Sequence, residues 1–449
     1  AARLLWQLDP LPGEARAARL LVIDSYLAER QGVTAFHAML RFDQDYRPLD
    51  RGIAGHFVAR LLDLGLDNEA VNWLAALDND GALKLRLRVR TGLLEPEAAI
   101  AGARAQLGKG GDATYWLVLA DAADKQGDGT LRVEALERLH NVDPGPAQAT
   151  ALWQAYFSEA RSAANRHRLL TGDDAAWLDL AARLLGASPP QSRALFAHIS
   201  RHAAARETRR GAGSQLVLSL QQSGLDRAAL LLVGGEPALT GILDPQARYV
   251  LGRMAESTSA PALAARFWQG LPAPADMGAE EWQLRLAAVQ WRSGMREPAL
   301  DTARATLEQT KALPGPAVSR GMALAREMAD AGDFGAAAQL YAALLPHAGS
   351  GRDRDILFAL GEIAESAGRS AAAADYFMRS ALAAGGPAGA AAAAPARLAA
   401  ARNLARAGYH ADARAQFQWI LKNSGDSMQL EQARRALARL PQTGKSLEE

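Results

Sequence analysis

The sequence predicts an all-α protein built as a stack of about 10–12 helical hairpins, and three observations carry that expectation. Of 449 residues, 49% are apolar but only 6% aromatic, with alanine, the strongest helix former and a good filler between close helices, supplying much of the apolar share. Glycines of turn type recur along almost the whole chain at a spacing in the mid-thirties. The chain is also too long for one compact core, and a sustained period of that length marks an array of helical repeats.

Taken in order, the first element is a short helix ending at Leu8, followed by the turn Asp9-Pro10-Leu11-Pro12-Gly13. An amphipathic helix is expected from Glu14 to about Gln31, with Leu20, Leu21, Ile23, Tyr26 and Leu27 on its apolar side. A second starts near Thr34. Pro48 closes this unit and Asp50 caps the next, so residues 1–50 form an N-terminal helical cap.

From residue 52 onward the pattern is a helix of roughly 12 residues, a tight glycine turn and another such helix. The turn glycines are Gly65, Gly92, Gly127, Gly186, Gly224, Gly294, Gly332, Gly368 and Gly408. Adjacent members lie 27 to 40 residues apart, and the gaps of 59 and 70 each predict a hairpin without glycine, around Arg161 and around Ser257. One hairpin cannot bury its apolar face alone and must be covered by the next. Glycine at the turn gives left-handed backbone at low cost.

The residues around these glycines carry a resemblance. Gly368 is preceded by Leu360-Gly361 and followed by Ala373 and Phe377. Gly332 has Leu324-Ala325, Phe334, Ala337 and Tyr341, and Gly408 has Ala413 and Phe417. Gly127 has Trp116, Leu119-Ala120 and the closing Pro144, with Arg132 where a small residue is expected. In these offsets residues 280–440 resemble the tetratricopeptide repeat family, and residues 51–270 look like degenerate relatives of the same hairpin. The resemblance implies a right-handed α-α superhelix, or solenoid, with a scaffold role and no shared catalytic residues.

Two stretches interrupt the array. Gly385-Gly386-Pro387-Ala388-Gly389, five alanines and Pro395 form a low-complexity insert, and Gly270-Leu271-Pro272-Ala273-Pro274 is the expected bend between irregular and regular halves. Residues 441–449 read as a frayed tail.

Composition excludes several chemistries. There is no cysteine, hence no disulfide, thiolate nucleophile or thiolate metal site. Fifty basic and 49 acidic residues give a net charge of +1 with interleaved signs, so bulk attraction to nucleic acid is not expected. No run of about 18 apolar residues occurs. The start at Ala1 leaves room for a removed signal or anchor, and membrane contact is expected only through such a segment or a partner. Cysteine avoidance points to a bacterial periplasm, with the cytoplasm as the alternative.

No zinc-helix, nucleophile-elbow or P-loop signature occurs, and neither cofactor nor metal is expected. Gly108-Lys109-Gly110-Gly111-Asp112 lacks the strand a P-loop needs and reads as an inter-repeat loop. Asp78-Asn79-Asp80-Gly81 and Asp43-Gln44-Asp45 lack the twelfth-position glutamate of a calcium loop and read as turns and caps. His198, His202, Arg206 and Arg210 recur every four residues, with Arg201 and Arg209 beside them, and are expected to form one basic stripe suited to carboxylates. Arg161, Arg166, His167 and Arg168 extend it. Arg397, Arg402, Asn403 and Arg406 are the candidate partner-binding residues near the C-terminus.

The function expected is a non-enzymatic scaffold that docks protein partners in the bacterial cell envelope. Nine tryptophans raise the alternative of a glycan-handling superhelix in exopolysaccharide secretion or cell-wall processing, supported if several prove exposed together. A further alternative is the non-catalytic superhelical part of a larger enzyme, such as a lytic transglycosylase.

Overall fold

The computed structural model describes residues 12–79, 81–234, 236–349, 351–383 and 389–441. The expected first helix with Trp6, Asp80 of the turn, the start of the low-complexity insert and the tail from 442 lie outside the described residues. Among those described are twenty-five α-helices and no strand. Contacts divide the chain into two units, one reaching to Met254 and one beginning at Ala255.

The first unit opens with α1 (Pro12–Ala28), α2 (Gly32–Asp45) and α3 (Arg51–Asp63). Asp50 caps α3 through the Gly52 and Ile53 amides, as the sequence predicts. Then come α4 (Asp67–Ala70), α5 (Ala82–Arg90), α6 (Pro96–Gly108), α7 (Thr114–Gln126), α8 (Gly129–Val142) and α9 (Pro146–Arg166). The unit continues through α10 (Asp174–Ala187), α11 (Pro189–His202), α12 (Arg206–Gln222), α13 (Asp226–Gly234) and α14 (Pro237–Thr240), and α15 (Pro245–Ser257) begins in it.

The second unit holds α16 (Pro261–Trp268), α17 (Ala279–Arg292), α18 (Arg296–Gln309), α19 (Gly315–Asp330) and α20 (Phe334–Leu344). It ends with α21 (Arg352–Ser366), α22 (Ser370–Ala383), α23 (Gly389–Arg406), α24 (His410–Asn423) and α25 (Ser427–Arg439). Successive helices pack on one another, and the α21–α22–α23–α24 run is the most regular.

Eight of the nine expected turn glycines have φ between +67° and +87°. Gly186 is the exception: it lies in the last turn of α10, and the break falls at Ser188, because Pro189 cannot continue α10 and starts α11 instead. The glycine-free bends are also displaced. Arg161 lies inside α9, which buried Ala160, Ala163 and Ala164 carry on to Arg166, and the left-handed residues are Arg168 (φ 56°) and Ser259 (φ 57°). Gly186→Ala, with nothing within 4 Å of the added carbon, is expected to raise stability by about 0.5–1 kcal/mol, whereas Gly368→Ala, at φ +70°, lowers it by a similar amount. Denaturant midpoints of the two variants check the opposite signs.

The tetratricopeptide-like offsets do the packing expected of them. Ala373 and Phe377 are fully buried, and a side chain on Gly361 would meet the Phe377 ring at 2.7 Å, so the glycine is the socket for that ring. Leu324, Ala325, Ala337 and Tyr341 are buried around Gly332, as are Ala413 and Phe417 after Gly408. Phe334 departs from this and is 39% exposed at the start of α20. Arg132, in place of a small residue, stays at the surface and pairs with Asp124 at 2.5 Å.

The repeat period is also written in side-chain bonds. Arg86 binds Asp121, Arg201 binds Glu236, Arg292 binds Glu327 and Arg304 binds Gln339, each across 35 residues. These pairs tie a hairpin to the next.

In the first unit the stacking departs from nearest neighbours. Helix α8 touches α7 and α9 but also α11 and α13. Asn141, near its C-terminus, accepts hydrogen bonds from the Arg227 (3.0 Å) and Ala228 (3.3 Å) amides and so caps α13 from about 86 residues away. Glu137, fully buried on the same helix, receives Arg193 of α11 in a bidentate pair at 2.7 and 2.5 Å, and the Tyr156 hydroxyl of α9 at 2.8 Å. Arg193 also donates to Ser223 at 2.9 Å. Polar groups thus brace four helices through an apolar core.

Around the expected bend at Gly270–Pro274, Trp282 donates its ring N–H to the Leu271 carbonyl at 3.1 Å and meets Trp268 edge to face, with ring centres 5.1 Å apart. Both indoles are fully buried, so this break is stapled.

Candidate functional site: a cationic cleft and a histidine pocket

The predicted basic stripe does not exist as one surface. Helix α11 ends at His202, the chain turns through Ala203–Ala205, and Arg206 starts α12, so the four-residue spacing is cut in the middle. Arg209 donates to the Ala203 and Ala204 carbonyls at 2.7 and 3.0 Å and closes the end of α11. Arg210 pairs with Glu207 and Asp244, and Arg201 with Glu236 while lying 3.8 Å over the Trp153 ring. Arg166 is held by buried Glu159. Arg206 stays exposed without a bonded partner among the described residues, as do Arg161, His167 and Arg168 of the expected extension.

The two histidines belong to a column of rings instead. Trp177 stacks on His198 at 4.6 Å, His198 meets His202 at 4.5 Å, and His202 meets Phe157 at 5.1 Å, which stacks on Trp153 at 5.7 Å. Burial, the neighbouring His202 and the Arg161 guanidinium push His198 down to about 4. The unfolded chain therefore takes this proton first, and stability falls as pH drops from about 6.5 toward 4. His198→Gln is expected to flatten that part of a stability-against-pH profile measured by denaturant titration.

At the C-terminal end the predicted residues separate into core and surface. Asn403 is fully buried on α23 and donates to the Ala399 carbonyl at 3.0 Å, which corrects its assignment as a partner contact: it packs inside the hairpin. Arg397 lies 4.2 Å over the Trp419 ring and binds Gln416 at 2.6 Å. Arg402 binds Gln432 at 2.6 Å, and Arg406 pairs with Glu365.

Arg402 and Arg406 line a cleft of about 590 Å³ formed by α23, α24 and α25. Its floor is Ala405, Phe417, Ala436 and Leu440, and its rim adds His410, Arg435 and Arg439. No carboxylate lines it, whereas two other cavities hold both signs, Arg161 with Asp174 in one and Arg292 with Glu256 in the other. Arg406 and Arg435 are paired with Glu365 and Glu431 outside the lining, whereas Arg402 spends its hydrogen bond on a neutral amide and Arg439 has no acidic partner among the described residues. In a chain of net charge +1 this is a local excess of positive charge.

Sequence reasoning missed Arg435, Arg439 and His410. A signal was present: Arg402/Arg406 and Arg435/Arg439 are both pairs spaced by four, which places each pair on one helix face. That the two faces meet is tertiary information.

The remaining candidates are structural. Arg51 binds Asp78 at 2.9 Å and Lys84 binds Asn79 at 2.9 Å, while Asp43 and Asp45 pair with Arg47 and Arg19. Asp112 caps the Thr114 amide at 2.8 Å after the glycine loop. Trp73, Trp153, Trp177, Trp268, Trp282 and Trp291 are buried, and Trp116 and Trp419 half-buried, so among the described residues the tryptophans form no shared exposed face that would support glycan handling. Among the described residues no three His, Asp or Glu side chains gather as metal ligands would, and no helix is long and apolar enough to cross a membrane.

No protein-family model matches the chain, and comparison with curated proteins finds none similar in sequence. Among solved structures the chain is similar to yeast Tom70, at 12% identity and a TM-score of 0.27 over 95% of this chain and 96% of that one. It is also similar to the APC/C hetero-tetramer Cut9-Hcn1 (15%, TM-score 0.24, 97% and 92%) and to the P58(IPK) TPR domain (12%, TM-score 0.22, 77% and 99%). Scores this low add nothing to the fold, which the hairpins themselves establish.

Proposed function

We propose that the chain is a non-catalytic docking scaffold that holds an acidic segment of a protein partner in the cleft between α23, α24 and α25. The rim carries this reading: of its four arginines Arg402 and Arg439 have no acidic partner among the described residues, and they flank an apolar floor beside His410. Guanidinium forks match carboxylates, and the Phe417 and Leu440 floor accepts an apolar side chain between them. Preorganised hairpins keep the cleft in shape before binding. The absence of cysteine supports a setting in an oxidising compartment such as the bacterial periplasm.

A photo-crosslinking residue at Ala436 tests the reading against one at exposed Arg104. The expected product is an acid-rich protein segment joined at position 436 and lost in Arg402→Ala/Arg439→Ala. Equal capture at position 104, or capture indifferent to the arginines, overturns it.

A further inference from the structure

A second cavity, of about 440 Å³, lies in the first unit between α9, the α9–α10 loop, α10 and the end of α11. Its size suits a small molecule. Arg161 and Asp174 both line it, and neither forms an ion pair with the other or with any other charged group among the described residues. One Asp174 oxygen accepts the Ala204 amide at 3.0 Å, leaving the second without a bonded partner. His198 lines the same cavity and feels both charges, Arg161 lowering its proton affinity and Asp174 raising it.

The other lining groups are uncharged and mixed. Asn165 and Thr171 have no side-chain hydrogen bond among the described residues, and the His198 Nδ1 is buried without a partner. Trp177, His198 and His202 supply stacked rings. A simple anion would leave Asp174 unmatched, and a simple cation would leave Arg161 unmatched. A ligand that satisfies both carries two opposite charges on one small frame.

We infer that this cavity binds a free α-amino acid, its carboxylate on Arg161, its ammonium on the free Asp174 oxygen and its side chain against the ring column. The guanidinium fork suits the carboxylate, and the unbonded amide, hydroxyl and imidazole groups serve a polar side chain. The inference is independent of the docking cleft, which lies in the second unit.

The test is calorimetric titration of the full chain with each of the common free amino acids, followed by the amide and the N-acetyl derivative of the best binder. At least one free amino acid is expected to bind saturably with a Kd below about 10 mM, and each derivative to bind at least about tenfold more weakly. In Arg161→Ala the free acid and its amide should bind alike, and in Asp174→Asn, which keeps an acceptor for the Ala204 amide, the free acid and its N-acetyl form should bind alike. Melting temperatures confirm that both variants fold. No saturable binding at about 10 mM, derivatives that match the free acid in the unaltered chain, or variants that retain its full discrimination overturn the inference.

Discussion

Glu137→Ala is expected to destabilise the first unit by about 3–5 kcal/mol, because it strands the Arg193 guanidinium, only 2% exposed, without its carboxylate. Burial drives the Glu137 carboxyl up from its ordinary value, and the two bonds from Arg193 oppose that drive. Arg193→Ala, which leaves the carboxylate alone beside the Tyr156 hydroxyl, should cost a similar amount. The double variant Glu137→Leu/Arg193→Met should recover much of the loss, since a pair replaced by apolar groups leaves no orphan charge. Calorimetric unfolding of the four proteins gives the comparison. Additive losses in the double variant would show that the brace is not a coupled unit.

The second large effect lies in the α21–α22 hairpin. Phe377→Ala is expected to lower stability by about 3–5 kcal/mol, as the ring is fully buried against α21. Gly361→Val drives a branched side chain into that ring, whose nearest atoms would lie 2.7 Å from the first added carbon, and should lower stability by about 1–3 kcal/mol. If socket and ring act together, Gly361→Val/Phe377→Ala should be more stable than Phe377→Ala alone, the valine filling part of the void. Equal stability of those two proteins, measured by denaturant unfolding, would deny the socket.

Much of this fold is legible in the sequence because its determinants are local. Asp50 as a cap, eight turn glycines and the Gly361–Phe377 offset all follow from residue type and spacing. Where the reading slipped, a local rule was overridden by a neighbouring one. Gly186 had the right spacing, but Pro189 decided the break, and the run His198–Arg210 had helical spacing while Ala203–Ala205 turned the chain.

The polar brace and the cleft were less legible for a different reason. Glu137 and Arg193 are 56 residues apart and Asn141 and Arg227 are 86 apart, so neither pair falls on the repeat period. In sequence Arg402 and Asn403 are equal candidates for a partner contact and Arg439 is an ordinary surface arginine, until the packing of α23 against α24 and α25 puts the two arginines on a rim and Asn403 in the core. Net charge averaged this patch away.

The docking claim is tested most directly by fluorescence anisotropy with a labelled peptide of alternating glutamate and leucine, titrated with the full chain, with Arg402→Ala/Arg439→Ala, and with Arg206→Ala as a control outside the cleft. The account predicts saturable binding that weakens as salt rises, falls at least about tenfold in the double variant and is unchanged in the control, while a lysine-leucine peptide does not bind. Equal binding of the acidic and basic peptides, or of the acidic peptide by all three proteins, would contradict it.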